Sequence, residues 1–145
     1  MIRILVTPDP IDVATEVARV EVEGAGGIAS FIGRVRADDG VSTLELEHYP
    51  GMTEAALEAV ARTAAARWSL AAVTIVHRVG PMGPGERIVL VATAAAHRQA
   101  ALDACAYCID RLKTDAPFWK REVTPEGTRW VEVRAADAQR ATDWA

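Results

Sequence analysis

Two lysines, Lys113 and Lys120, stand seven positions apart in the segment LKTDAPFWKRE (Leu112–Glu122), with Pro117, Phe118 and Trp119 between them. Lysines usually lie on solvated faces, because taking an ammonium out of water is costly. Here one lysine ends a predicted helix and the other opens a predicted strand, around an aromatic pair. That arrangement can direct two cations into one cleft whose walls exclude water. Such a cleft suits an anionic substrate, or a reaction that develops negative charge. Read locally, two solvated lysines at a helix–strand junction are the plainer account, so other residues must decide.

Further cations are spaced suggestively. Arg34 and Arg36 lie two apart on a predicted strand and leave it on one face, with Phe31 and Val35 on the other. His97 and Arg98 follow a strand at a predicted helix N-terminus, where unpaired N–H groups and the helix dipole favour an anion. Each pair alone also fits a solvated face or a cap. His48 and His77 fall on the inward stripes of strands, as hydrogen-bonded core side chains. No spacing among the three histidines suggests a metal site. A GxSxG elbow is absent, so lysine, arginine and histidine are the groups expected to act, as electrostatic or proton-transfer partners.

Two motifs mislead. Cys105 and Cys108 form a CxxC, but a zinc site needs further ligands and a redox pair belongs at a helix N-terminus. These two fall mid-helix on the stripe of Ala101, Ala104 and Leu112, as small buried residues. Gly24-Ala25-Gly26-Gly27-Ile28-Ala29 matches the GxGxxA form of the dinucleotide fingerprint, yet strand-like SFIGRVR follows it where a helix is required. Those glycines read as a tight turn or a close backbone approach.

The elements that must position these residues are legible from periodicity. Strands are predicted at Ile2–Val6, Gly27–Arg36, Thr43–Tyr49, Val73–Gly80, Arg87–Ala94, Phe118–Thr124 and Thr128–Val133. Helices are predicted at Ile11–Val20, from Thr53 as cap to about Trp68, and from His97-Arg98 to about Lys113. Asp38-Asp39-Gly40 signals a hairpin turn, Pro81–Glu86 a loop, and Pro125-Glu126-Gly127 a second turn. Strands mostly in hairpins, with two substantial helices, give an α+β class with a largely antiparallel sheet. One domain is expected over residues 1–134, with a polar, Ala-rich tail at 135–145. A 50% hydrophobic content over 145 residues is enough for a core, and aromatics at 6% leave Ala, Val, Leu and Ile to fill it. A net charge of −4 argues against broad nucleic-acid binding, which needs a basic surface. No apolar run reaches the roughly 20 residues of a membrane span. The start, MIRILVTPDP, has too few apolar residues for a signal-peptide core, which predicts a soluble, cytoplasmic chain.

Several segments together resemble one family: Phe31–Arg36 (FIGRVR), Leu46–Met52 (LEHYPGM), His77–Gly80 (HRVG), His97-Arg98, Leu112–Glu122, Thr124–Gly127 (TPEG) and Trp130–Glu132 (WVE). Their order and spacing are those of the large, catalytic subunit of molybdopterin synthase, over nearly the whole chain. The resemblance implies an α/β hammerhead with an added antiparallel β-subdomain. It implies conversion of cyclic pyranopterin monophosphate into molybdopterin by installing two dithiolene sulfurs. The sulfur arrives as a thiocarboxylate on the C-terminal glycine of a small ubiquitin-like partner, in a heterotetramer built on a homodimer of large subunits. No cofactor is implied.

By motif match, Lys113 would meet the partner's terminal glycine, and Lys120, with Arg121 and Glu122 beside it, would position substrate and assist proton transfer. Arg34, Val35, Arg36, His97 and Arg98 would bind the pterin phosphate and ring. Phe31 would wall the pocket, and Arg134 would reach the pocket of the neighbouring subunit. Two other readings stand beside this one: an adaptor that binds a ubiquitin-like tail without turnover, and a plain phosphate-ligand domain. Lys113, Lys120, His97 and Arg98 together favour the enzyme, because an adaptor needs no phosphate site. The turn at Ala37–Gly40 is short for the family, and the chain leaves no room for a fused small subunit.

Overall fold

The computed structural model describes residues 1–36, 40–130, 139–140 and 142–144. In chain order the elements are β1 (Ile2–Thr7), α1 (Val13–Arg19), β2 (Gly27–Arg34), β3 (Thr43–His48), α2 (Met52–Trp68), β4 (Ala72–Arg78), β5 (Gly80–Met82), β6 (Arg87–Ala95), α3 (Arg98–Asp115), β7 (Phe118–Thr124) and β8 (Gly127–Trp130).

Among the described residues, two four-stranded sheets carry the fold, ordered β1-β4-β6-β2 and β5-β3-β7-β8. The class is α+β, as the sequence indicates. In the first sheet, the near-continuous apolar runs of β4 and β6 occupy the centre and are buried on both faces. One face, with Val73, Ile75, Val89 and Val91, packs on Leu57, Val60, Ala61 and Ala64 of α2 and Ala101, Cys105, Cys108 and Leu112 of α3. The small residues on those helices let them lie close to the sheet. The other face, with Ala72, Val76, Leu90 and Ala92, packs on Ile11 and Val20 around α1. The second sheet has its own small core of Val35, Leu44, Leu46 and Met82.

The hairpin expectation is corrected. Among sequence neighbours in the described residues, only β7 and β8 pair with each other, and β1 runs parallel to β4. The signal at Asp38-Asp39-Gly40 lies largely outside the described residues, but β2 and β3 belong to different sheets, so no hairpin joins them. Pairing is instead long-range, β2 with β6 and β3 with β7. The loop expected at Pro81–Glu86 begins as β5, whose Met82 is buried opposite Leu44.

Thr53 does not cap α2. The cap is Gly51, at a φ of 85° that glycine adopts without strain, and its N–H donates to the Glu54 carboxylate at 2.9 Å. Thr53 is fully buried, and its hydroxyl bridges two other segments. The glycines before β2 serve close approach, as the sequence suggests. A Cβ on Gly27 would stand 2.8 Å from the Arg98 Cα, so only glycine lets β2 start against the head of α3. Of the tail, residues 139–140 and 142–143 are helical, and Trp144 packs edge-on against Trp68 and Tyr107.

Candidate functional site: a lysine edge between two sheets

Lys113 lies in the last turn of α3, where a cation complements the helix dipole. The helix ends at Ala116, which turns extended (φ −80°, ψ 126°) as the residue before Pro117 must. Phe118 then opens β7. Antiparallel pairing sets Phe118 opposite His48, Lys120 opposite Leu46, and Glu122 opposite Leu44. Leu44 and Leu46 are buried, so Phe118, Lys120 and Glu122 face inward, toward the first sheet.

His77, near the end of β4, joins the two lysines. Its ring stacks on Phe118 with centroids 3.9 Å apart and planes 23° from parallel. Burial pushes its pKa down to about 4, and the charges of Lys120, Lys113 and His48 push the same way, against a hydrogen bond with the Arg78 carbonyl. Both lysines therefore act on one buried ring, from α3 and from β7. His48 also approaches the Glu54 carboxylate at 3.8 Å. The junction is pinned by Thr53, whose hydroxyl accepts the Tyr49 N–H at 3.0 Å and donates to the Pro117 carbonyl at 2.9 Å.

Arg121 points away from the lysines. It pairs with Glu45 and lies over the Trp130 ring, on the outer face with Trp119. Glu122 shares the Lys120 face and is paired with Arg129 at 3.3 Å. Phe31 is half-exposed on β2, opposite Val91. Beyond it Val35 is buried, exchanging backbone hydrogen bonds with Glu86 and Gly85, while Arg34 and Arg36 stay exposed. Arg34 donates from Nε to the Gly85 carbonyl at 3.0 Å. It lines a recess of about 510 Å³ with Pro10, Ile11, Arg78, Glu86 and Arg87.

His97 and Arg98 are exposed at the opposite end of α3 from Lys113. Arg98 and Lys113 are fifteen positions apart on one helix, which is about 22 Å along the axis. A single chain therefore brings Lys113 and Lys120 to one edge but leaves the His97–Arg98 pair distant. Arg134 lies outside the described residues.

The thiols are inert. Burial raises Cys105 to about 11 and Cys108 to about 12. Neither can act as a thiolate near neutral pH.

Two contributors escape a reading of sequence alone: the bridging hydroxyl of Thr53 and the stacking of His77 on Phe118 beside the lysines. The alternation Val73, Ile75, His77 marks a buried histidine. What it packs on is set by pairing between sheets.

An α+β frame sets two lysines about one aromatic segment, with both cysteines buried and their thiols held protonated. Residues 6–115 match the family model described as "MoaE protein". A molybdopterin synthase catalytic subunit of Salmonella typhimurium is 49% identical, over 98% of this chain and 97% of that protein. A solved structure of molybdopterin biosynthesis MoaE protein from Burkholderia ambifaria superposes with a TM-score of 0.85 at 48% identity, covering 99% of this chain and 98% of its own. Molybdopterin synthase from Staphylococcus aureus superposes at 0.82, with 32% identity and coverage of 90% and 96%. The chain belongs to the MoaE family.

Among the described residues, no helix is long and apolar enough to cross a membrane.

Proposed function

We infer that this chain is the catalytic subunit of a molybdopterin synthase, an enzyme of molybdenum cofactor biosynthesis that transfers sulfur to a pterin precursor. The observation that carries this reading is the convergence of Lys113 and Lys120 on one edge, in a member of this family whose cysteines are silenced. A subunit with no usable thiol must take its sulfur from elsewhere. A thiocarboxylate on the terminal glycine of a small ubiquitin-like subunit meets that need.

Lys113 holds the thiocarboxylate, a delocalised anion that an ammonium orients. The sulfur attacks a side-chain carbon of cyclic pyranopterin monophosphate, the carbon–oxygen bond breaks, and the departing oxygen takes a proton; water then cleaves the resulting thioester, leaving the sulfur on the pterin and releasing the small subunit's terminal carboxylate, and a second thiocarboxylate supplies the second sulfur. Lys120, half-buried on β7, stands where it can supply that proton and position the pterin. Glu122 shares its face and helps to orient it, whereas Arg121 serves the outer surface. Arg34, Val35, Arg36, His97 and Arg98 bind the precursor's phosphate and ring, with Phe31 as a wall. The distance between Arg98 and Lys113 supports a site shared by two copies. In a homodimer at the centre of a heterotetramer, the His97–Arg98 pair of one copy serves the lysines of the other, and Arg134 reaches across in the same way.

Mixing the chain with thiocarboxylated small subunit and precursor should give the dithiolene product, detected by mass. Lys113→Ala should give none while its circular dichroism stays native. A normal yield from that variant removes the assignment. Binding of the small subunit without product from the wild-type chain would favour an adaptor.

A further inference from the structure

His77 lies at the lysine edge, yet the roles above make no use of it. The ring is 6% exposed. Its Nδ1 stands 2.9 Å from the Arg78 carbonyl oxygen. A carbonyl only accepts, so Nδ1 carries the proton and Nε2 keeps its lone pair. One tautomer is thereby selected. Among the described residues, the groups that stack on the ring, act on it by their charge or sit opposite it come from five elements: Lys113 from α3, Lys120 and Phe118 from β7, His48 from β3, Val89 from β6 and Val6 from β1. The charged groups among these are cations, or become so on protonation. An imidazolium here would add repulsion where two ammonium groups must gather an anion.

The segment from Lys113 to Lys120 is held at two adjacent residues. The Thr53 hydroxyl holds the Pro117 carbonyl, and the His77 ring lies flat on Phe118. The first anchor fixes where the helix ends, and the second fixes how the strand that carries Lys120 is rotated. A flat aromatic face serves the second task better than an aliphatic side chain of similar volume, because a stacked pair fixes ring orientation as well as distance.

We propose that His77 is a positioning residue for the sulfur-transfer site: held as one neutral tautomer, its ring seats Phe118 and so sets Lys113 and Lys120 relative to each other without adding a positive charge beside them. The inference rests on the sulfur-transfer reading above.

Two variants test it, both keeping the core filled: His77→Phe preserves a flat neutral ring, and His77→Leu removes it. Each is assayed with thiocarboxylated small subunit and precursor, after circular dichroism and thermal unfolding establish a native fold. His77→Leu should lose about tenfold or more in kcat, with a much smaller change in KM for precursor, since small displacements of reacting groups cost rate more than binding. His77→Phe should recover most of that loss, and its rate between pH 6 and 8 should follow the wild-type profile. Full activity in His77→Leu overturns the proposal. So does a folded His77→Phe as slow as the leucine variant, because the ring face would then not be what matters. Disappearance from His77→Phe of a wild-type inflection near pH 6.5 would also overturn it, by making the imidazole a proton carrier. If the wild-type chain makes no dithiolene, the sulfur-transfer reading itself falls, and the two failures are told apart.

Discussion

Replacing Thr53 by valine keeps the shape of a side chain that is fully buried and deletes one hydroxyl. That hydroxyl accepts the Tyr49 N–H at 3.0 Å and donates to the Pro117 carbonyl at 2.9 Å, joining the end of β3, the start of α2 and the α3–β7 junction. Valine leaves one backbone donor and one acceptor stranded. Each stranded group costs about 1–3 kcal/mol, and both bonds are partly buried, so the sum belongs near the low end, about 2–4 kcal/mol. Serine keeps both bonds and loses one methyl, at about 1 kcal/mol. For a chain of this length a destabilisation of 1 kcal/mol lowers the melting temperature by roughly 2–4 °C, so valine should cost about 5–10 °C and serine only a few. Urea unfolding with calorimetry measures both. Sulfur transfer, assayed below either transition, should be slower in Thr53→Val, because Pro117 has lost the anchor that places Lys113 and Lys120. A valine variant as stable as the serine variant would refute the bridging role assigned to this hydroxyl.

Stability should fall with acid through His77. Its folded pKa of about 4 lies below the ordinary 6.5, so the unfolded chain binds the proton first as pH drops. Its contribution is complete above pH 6.5 and declines toward pH 4, losing about 2 kcal/mol between pH 7 and pH 5. Urea titrations should show a shallower slope in that window for His77→Phe, and equal slopes would contradict the buried neutral ring. Cys105 and Cys108 should resist alkylation at pH 8 in the native protein and react after denaturation, and the double alanine variant should keep its activity; rapid native labelling would mean the thiols are accessible. Arg36→Ala and Arg98→Ala should each weaken precursor binding, read by calorimetry, more than small-subunit binding. Unchanged precursor affinity in both would remove the phosphate role.

Local pattern carried the elements well. Phe118–Thr124 is a strand with the expected bounds, and α3 starts at Arg98 as its preceding strand and cap position suggest. Pairing was not legible. Asp38-Asp39-Gly40 has the chemistry of a hairpin turn, yet β2 and β3 join different sheets, because partner choice depends on which faces must be buried together. The same holds at the site. The lysines were found from their spacing about Phe118 and Trp119, because that distance is short. Thr53 looked like a cap because its type and place fit one, while its hydroxyl serves Pro117, 64 positions away. The separation of Arg98 from Lys113 was implicit in the length of α3, since a straight helix cannot bring its two ends together.

Strand β7 sorts its side chains by parity, with Lys120 and Phe118 inward, Trp119 and Arg121 outward. The stretch Thr114–Pro117 therefore acts as a phase setter. Adding or deleting one amino acid there would exchange the two sets, presenting tryptophan and arginine to the interior and moving the Lys120 ammonium to the solvent side. Each set pairs one aromatic with charged side chains, Phe118 with Lys120 and Glu122 or Trp119 with Arg121, so the strand would still pair and the outcome would be a folded but chemically silent subunit. Natural length variation should accordingly avoid this link and collect in segments whose frame nothing downstream depends on.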